Sequence, residues 1–187
     1  FLREKWAEYD RPTSVLITGG AITRKLDGLG EEDFYLRYVD AIKQRIGNRW
    51  PIVLQSAPKP KEAAKRLRDR GVNVHHSNME VWDKRLFEII CPGKARAIGR
   101  DNWLRLMLEE VDVFGEGYVN PAFVIGVEMA HPWGFKEVDE AVNSTAEGFD
   151  YLMSRGILPR PLSWFVEPAS ALRGQELPPT DYFIKVD

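Results

Sequence analysis

Two polar side chains stand two positions apart, just after a short predicted strand at residues 72–76. Asn78 carries an amide and Glu80 a carboxylate, and residues two apart on extended backbone point to the same side. Such a pair can hold the diol or the amine of a bound ligand, or it can serve as a capping or loop-anchoring pair. The segment is the first candidate ligand site, with both interpretations open.

Paired glycines and a glutamine end two earlier apolar runs. Gly19 and Gly20 follow residues 14–18, and without side chains they let the ammonium or carboxylate of a ligand reach backbone groups directly. A simple strand-to-loop turn is the alternative explanation for the same pair. Gln55 ends the run at 51–55, where its amide is either a ligand contact or merely solvated.

Two later runs end in a comparable way. Gly126 lies inside the run at 119–127, and a glycine within a strand is typical of a close approach by a ligand or by another backbone. Glu128 follows directly and is predicted to face the same opening. The segment 165–174, which contains Val166, is a proline-led loop that can form an apolar wall for an aromatic ligand.

Adjacent histidines raise the possibility of a metal site. His75 and His76 are neighbours on a predicted strand, so their side chains point to opposite faces and cannot chelate one ion together without a bend. A metal-dependent barrel hydrolase would therefore have to combine one of them with His131, Glu80 and Glu128. No HxH or HExxH spacing supports that hypothesis, so it is the least favoured of the alternatives.

The elements that must position these residues alternate between strand and helix. Apolar runs predict strands at 14–18, 51–55, 72–76, 119–127 and 162–166, and periodic or capped segments predict helices at 31–46, 60–70, 83–90, 101–114 and 137–155. Asp101 is predicted to cap the helix that it begins, and 177–180 to lead into a last helix. The predicted buried face of the first helix consists of residues spaced by four: Phe34, Tyr38, Ile42 and Ile46.

Strand–helix alternation with short connections predicts parallel strands joined by right-handed crossovers. The fold class is therefore α/β. Two architectures fit: a partial parallel β/α barrel of about five consecutive units, and an open doubly wound sheet, which the chain length alone slightly favours. In both, ligands bind at the carboxyl ends of the strands, so the polar endings predict one shared pocket.

Composition narrows the class of protein further. The chain has 187 residues, 44% of them hydrophobic and 29% charged, which predicts one domain over 1–187. Its formal net charge of −2 comes from interspersed charges and disfavours a nucleic-acid partner. No apolar run approaches the roughly 20 residues that span a bilayer, so a cytoplasmic protein without membrane contact is expected. Cys91 is the only cysteine, and a buried structural role is expected for it.

Several segments, taken in order, resemble motifs of the radical S-adenosylmethionine superfamily, in its branch of biotin synthase, lipoyl synthase and hydrogenase-maturation enzymes. Gly19-Gly20-Ala21 is similar to a Gly-Gly-Glu motif, with Ala21 in place of the acid. The segment 76–81 is similar to a His-Asn-x-Asp/Glu-Thr motif, and 84–94 to a run that ends in Arg/Cys-Pro-Gly. Residues 123–128 approximate a Gly-x-Ile-x-Gly-x-x-Glu motif, and 165–174 resemble the family's sixth-strand loop.

The resemblance assigns roles to residues of this chain. It implies substrate contacts for His76 and Glu128. The family's usual arginine for the cofactor carboxylate falls at Trp103, which leaves Arg100 or Arg105 as its substitute. The implied cofactor-binding residues are Gly19, Gly20, Gln55, Asn78, Glu80, Arg100, Arg105, Gly126 and Val166.

The resemblance also implies an activity for the parent enzyme. Such enzymes cleave S-adenosylmethionine reductively at a [4Fe-4S] cluster, and the resulting 5′-deoxyadenosyl radical acts on a small-molecule substrate. Flavodoxin or ferredoxin is the implied electron donor. Three cysteines must hold the cluster, so we expect its ligands on a segment that precedes Phe1, and the chain alone to be inactive. The alternative is a cluster-free β/α domain that binds S-adenosylmethionine or another nucleotide-like ligand.

Overall fold

Five short strands form where the sequence has its apolar runs. The computed structural model describes residues 14–22 and 24–186; residues 1–9, which the resemblance makes the tail of the family's first helix, lie outside this part. The strands are β1 (Val15–Thr18), β2 (Ile52–Gln55), β3 (Val72–His76), β4 (Ala122–Ile125) and β5 (Arg160–Ser163). All the strand pairs among them are parallel, so the predicted α/β class is confirmed.

The strands lie side by side in chain order. One sheet has the order β1-β2-β3 and a second has the order β4-β5. Backbone hydrogen bonds join the two sheets: Asn120 N–H donates to the His75 carbonyl at 2.9 Å, and Val124 N–H donates to the Glu80 carbonyl at 2.8 Å. A doubly wound sheet has its ligand crevice where the strand order reverses. The described strands show no such reversal.

Seven α-helices connect or follow the strands in the described residues, and none of them is both long and apolar enough to cross a bilayer. The last of them confirms the predicted helix after 177–180. The helices are α1 (Glu31–Ile46), α2 (Lys61–Asp69), α3 (Lys84–Ile90), α4 (Pro92–Ala97), α5 (Arg100–Phe114), α6 (Val138–Met153) and α7 (Thr180–Val186), with a 3-10 turn at Val127–Met129.

The core lies between the strands and these helices. Alternation along β2 turns Ile52 and Leu54 toward the helices, where both are fully buried. Leu67 of α2 and Trp103 and Met107 of α5 are buried in the same core. Each such side chain contributes about 1.5–3 kcal/mol through burial, which makes this layer the main source of stability near the site.

The predicted buried face of α1 is right only in part: Phe34 and Ile42 are partly buried against the core, and Tyr38 is not. The helix buries Tyr35, Leu36 and Val39, whereas Tyr38 is half exposed. The reason is that residues 35, 36 and 39 form their own stripe at helical spacing, which is the one that meets the rest of the fold. Phe34 and Tyr38 pack against each other instead, with ring centroids 5.3 Å apart.

Some predicted boundaries are also wrong. β4 ends before Gly126 because that residue takes a left-handed conformation with φ 103°. β5 begins at Arg160, two residues early, and accommodates Pro161, a residue that sheets tolerate at an edge. Asp101 does not cap α5, since that helix begins at Arg100 and the Asp101 carboxylate instead accepts a hydrogen bond from Lys84 at 2.6 Å.

Gly148 in α6 is a test of packing against helix propensity. A Cβ at Gly148 would stand 2.6 Å from the Trp82 ring, whereas a Cβ at Gly93 in α4 would meet open space. Overpacking costs about 1–3 kcal/mol and outweighs the ~1 kcal/mol that alanine gains in a helix. We expect Gly148→Ala to lower the free energy of unfolding in urea and Gly93→Ala to raise it by up to ~1 kcal/mol. Equal stabilisation by both variants would contradict the packing described for Trp82.

Candidate functional site

A cavity of ≈ 90 Å³ lies at the carboxyl ends of β1, β2 and β3. It brings together four residues that the sequence assigned to a cofactor: Gly20, Gln55, Asn78 and Glu80. Four further residues, which the sequence did not assign, complete its lining: Ala21, Ser56, Lys94 and Trp103.

The Gly19-Gly20 loop after β1 is held in place by hydrogen bonds to side chains of α1. The Tyr35 hydroxyl donates to the Gly20 carbonyl at 2.8 Å, and Ile22 N–H donates to Glu31 at 2.6 Å. Glu31 in turn forms an ion pair with Lys59, and both side chains are largely buried. Gly20 has φ 75°, which a residue with a side chain rarely adopts. Gly19 and Gly20 therefore form a fixed turn. Of the two, Gly20 lines the cavity and Gly19 does not.

Asn78 and Glu80 follow β3 on backbone that pairs with β4. Asn78 Oδ1 accepts from Ala122 N–H at 3.0 Å, so the amide group left for a ligand is the NH₂. Glu80 has φ 74°, an unusual conformation for a residue with a side chain, and hydrogen bonds to the β4 backbone hold it there. Held strain of this kind concentrates at functional sites. The Glu80 side chain lines the cavity.

Lys94 supplies the positive charge of the cavity. Its ammonium lies 2.6 Å from the Glu80 carboxylate and donates to the Asn78 carbonyl at 2.8 Å. It also lies 5.0 Å from the ring centroid of Trp103, within the range of a cation–π contact. Trp103 is buried and its Nε1–H donates to the Ser77 carbonyl at 3.1 Å, so the ring is a fixed platform for the ammonium.

A buried carboxylate ties the strand ends to α5. Glu110, 0% exposed, accepts from Lys59 N–H at 2.7 Å and from the Ser77 hydroxyl at 3.1 Å. His75 Nδ1 lies 2.7 Å from the same carboxylate, and its Nε2 lies 2.9 Å from Ser56 Oγ. The segments after β2 and after β3, which carry the cavity residues, are thereby joined to one helix.

The two histidines point to opposite faces of β3, as alternation predicts. His75 faces the helices and stacks on Phe114, with ring centroids 5.8 Å apart. His76 shares its register with Gln55 and Thr18 on the other face and is also buried. Burial, and then the positive charges of Arg160 and His75, lower the pKa of His76 from 6.5 to about 4. His76 is therefore neutral at physiological pH.

Glu128 lies in a buried network outside the cavity lining. Its carboxylate accepts from the Thr145 hydroxyl at 2.5 Å, from Gly126 N–H at 2.8 Å and from the Tyr182 hydroxyl. Burial, and then the Glu128 charge, raise the pKa of Tyr182 far above its ordinary value. The 3-10 turn after β4 is what turns Glu128 away from the strand direction. The geometry describes an anchor for α7, and the predicted substrate contact of Glu128 stays a prediction.

The remaining predicted cofactor residues also lie outside the cavity lining. Arg100 donates to the Trp82 carbonyl at 2.9 Å and covers that ring, and Arg105 pairs with Asn102 and Glu109; both arginines line a separate cavity of ≈ 450 Å³. A Cβ at Gly126 would meet Pro178 at 3.0 Å, so the close approach there is by this chain's own C-terminal segment. Val166 is half-buried and packs against the core.

Sequence reasoning missed Lys94, the cation that the structure brings to the cavity. The spacing of 14 residues from Glu80 carries no periodic signal, because α3 and the turn at Cys91 lie between them. The family's residue at this place is an arginine, so the resemblance pointed to Arg100 and Arg105 and not to a lysine. The one available signal was a lysine directly after Pro92-Gly93, where a helix begins.

The donor set of the chain does not fit an iron–sulfur cluster. Such a cluster needs three thiolates, and this sequence has one cysteine, Cys91. Burial raises the pKa of the Cys91 thiol to about 11, which keeps it protonated. Within residues 14–22 and 24–186, no group of three histidine, cysteine or acidic side chains is placed to hold a metal ion. The geometry therefore gives no support to a metal-dependent hydrolase.

Comparison with known proteins finds a distant enzyme. No protein-family model matches the chain. The sequence is similar to bacteriochlorophyllide c C-7(1)-hydroxylase of Chlorobaculum limnaeum, with 26% identity over 116 residues. The match covers 62% of this chain and 26% of the hydroxylase. The chain thus corresponds to about a quarter of the length of that relative.

The lowered pKa of His76 predicts a pH dependence of stability. Between pH 6.5 and about 4 the unfolded chain binds a proton at this position and the folded chain does not. Unfolding is therefore favoured as the pH falls through this window. We expect the urea midpoint of wild type to fall more steeply with acidification than that of His76→Gln. A comparison at pH 8, where His76 is almost entirely neutral in both states, isolates the packing cost of the substitution. Parallel pH profiles would contradict this assignment.

Proposed function

We propose that this chain is the S-adenosylmethionine-binding part of a radical S-adenosylmethionine enzyme. The observation that carries the proposal is the convergence of Gly20, Gln55, Asn78 and Glu80 on one cavity at the strand ends. These residues come from three different strand ends, and the resemblance had assigned all four to the cofactor. Parallel strands bring their ends together in any case, and what supports the proposal is that the residues gathered there are ones that the resemblance assigns to the cofactor.

The strand arrangement supports a partial β/α barrel as the architecture. Parallel strands in chain order, each joined to the next by helices, are what an arc of such a barrel contains. The backbone hydrogen bonds between the β3 and β4 segments continue the same order across the two sheets. In a barrel of this kind the carboxyl ends of the strands form the active-site face, where the cavity lies.

The lining fits the polar groups of S-adenosylmethionine. In the proposal, Glu80 and the Asn78 NH₂ hold the ribose diol, since a carboxylate accepts and an amide donates. Gly20 and Gln55 contact the amino-acid end of the cofactor. Lys94, the cation in this cavity, receives its carboxylate in place of an arginine. The Lys94–Glu80 ion pair then opens so that each charge meets a group of the ligand.

The cluster ligands belong, in this proposal, to a segment outside these 187 residues. In the superfamily the bound cofactor supplies a 5′-deoxyadenosyl radical that abstracts hydrogen from the substrate. This chain's residues would bind and orient the cofactor. The name of the distant relative is in keeping with such chemistry, because hydroxylation at carbon requires a C–H bond to be broken. Electron delivery by flavodoxin or ferredoxin and a small-molecule substrate are parts of the same proposal.

Binding of two nucleosides to the purified chain tests the cofactor site. S-Adenosylhomocysteine has the carboxylate that Lys94 is proposed to bind, and 5′-methylthioadenosine lacks it. A hydrogen bond to a charged group contributes about 1.5–3 kcal/mol, so calorimetry should show Lys94→Met weakening S-adenosylhomocysteine at least about tenfold. The same variant should leave 5′-methylthioadenosine unchanged, whereas Glu80→Gln should weaken both nucleosides.

Lys84→Met is the matched control, because Lys84 forms an ion pair of the same 2.6 Å length with Asp101 but lies outside the cavity lining. It should bind both nucleosides as wild type does. Loss of both nucleosides to the same extent in Lys94→Met would reduce Lys94 to a structural role. No binding of either nucleoside to wild type, at millimolar concentration, would contradict the cofactor site itself.

The parent polypeptide tests the radical chemistry. We expect the chain extended by its preceding coding sequence, reconstituted anaerobically with iron and sulfide and reduced, to release 5′-deoxyadenosine from S-adenosylmethionine. Chromatography of the products gives the measurement, and Asn78→Ala in the same polypeptide should reduce the yield. Nucleoside binding without any cluster absorbance or 5′-deoxyadenosine would instead identify a cluster-free β/α domain.

A further inference from the structure

The helices pack on one face of the strands. The opposite face is exposed on its two outer strands, β1 and β5. Leu16 of β1 and Leu162 of β5 point to this face and remain 52% and 48% exposed. Between them lie Val53, Val74 and Val124, which share the same side by register. We call this surface the open face. Its middle is apolar, and the polar side chains that interrupt it include Thr18, Gln55 and His76 at the strand ends and Arg160 on β5.

Arg160 is one of these side chains. It pairs in register with Ala122, and the next pair is Phe123 with Pro161. The Phe123 ring packs on Phe149 of α6, with centroids 5.3 Å apart, so that pair faces the helices. Because neighbours on a strand alternate, Arg160 lies on the open face.

The guanidinium of Arg160 has no acidic partner in the part of the chain that the structure describes. Its one hydrogen bond there runs from Nε to the Asn120 carbonyl and is long, at 3.4 Å. The side chain is half-buried, and burial lowers the pKa of Arg160, with no carboxylate of the described residues acting in the opposite direction. A cation removed from water without a counter-ion is costly.

His76 lies beside it. The histidine is 8% exposed, and its Nδ1 has no hydrogen-bond partner among the described residues. The register of β3 with the segment before β4 places His76 next to Asn120, whose carbonyl Arg160 contacts. Arg160 and His75 are the charged or titratable neighbours that act on the His76 ring. His76 Nδ1, a buried nitrogen without a hydrogen-bond partner among the described residues, therefore lies near the Arg160 guanidinium, which has no counter-ion among them.

We propose that Arg160 and His76 bind the carboxylate of an apolar carboxylic acid, whose hydrocarbon part lies along the open face against Leu16 and Leu162. A carboxylate satisfies both groups at once, since it accepts from the guanidinium and from a ring N–H of the histidine. The apolar residues on either side fit a ligand that is hydrophobic beyond its acid group. The inference rests on the proposed function only in taking this acid to be the substrate.

Octanoate is the probe and octanamide is its neutral match. We expect calorimetry on the full chain to detect octanoate binding that is at least tenfold tighter than octanamide binding. Arg160→Met should abolish this preference, and Arg160→Lys should retain part of it. Arg155→Met is the control, because the Arg155 guanidinium donates to the Tyr151 carbonyl of its own helix region and lies over that ring.

A second measurement needs no variant. In ¹⁵N-labelled wild type, octanoate should shift the ring-nitrogen resonances of His76 and raise its pKa, because an anion favours the imidazolium. Equal binding of octanoate and octanamide, or octanoate binding that is unchanged in Arg160→Met, would overturn the proposal. Nucleoside binding at the Gly20–Glu80 cavity is measured separately, so failure of the acid site and failure of the cofactor site give different results.

Discussion

The buried carboxylate of Glu110 is the interaction on which the site depends. Taking a carboxylate out of water is costly unless donors surround it, and here Lys59 N–H and the Ser77 hydroxyl donate to it, while His75 Nδ1 lies 2.7 Å away. Each of those groups belongs to a segment that leads into the cavity. Because α5 holds all three, the ends of β2 and β3 cannot shift independently. Asn78 and Glu80 follow Ser77 directly, and hydrogen bonds to the backbone of β4 then fix their positions.

The cavity at the strand ends and the open face differ in how their charged side chains are paired. In the cavity, Glu80 and Lys94 neutralise each other at 2.6 Å, and the Trp103 ring supports the ammonium. On the open face, Arg160 has no such partner among the described residues and lies beside His76. The first arrangement suits a ligand that offers a carboxylate to Lys94 and hydroxyl groups to Glu80. The second suits an anion. The two proposals therefore give the cofactor and the substrate different sets of residues.

The chemistry of the site was partly visible in the sequence. Glycines and short-range polar pairs such as Asn78 and Glu80 have fixed spacing, so alternation on extended backbone predicts that they face one side. Lys94 was not visible, since a helix and a turn intervene and no periodicity survives them. Glu128 lies outside the cavity lining because the backbone leaves the strand at Gly126. Trp103 could be named as a position, but its role as a platform depends on a neighbour 9 residues earlier in the chain.

The sequence by itself determined the order of strands and helices, the α/β class and the strand ends where polar residues gather, because periodicity and turn residues are local properties of the chain. Only the tertiary structure decided which stripe of α1 is buried and that Lys94 meets Glu80. It also decided that Arg160 lies beside His76. These contacts depend on how separate elements pack against one another, and the burial that selects among them is a property of the whole fold.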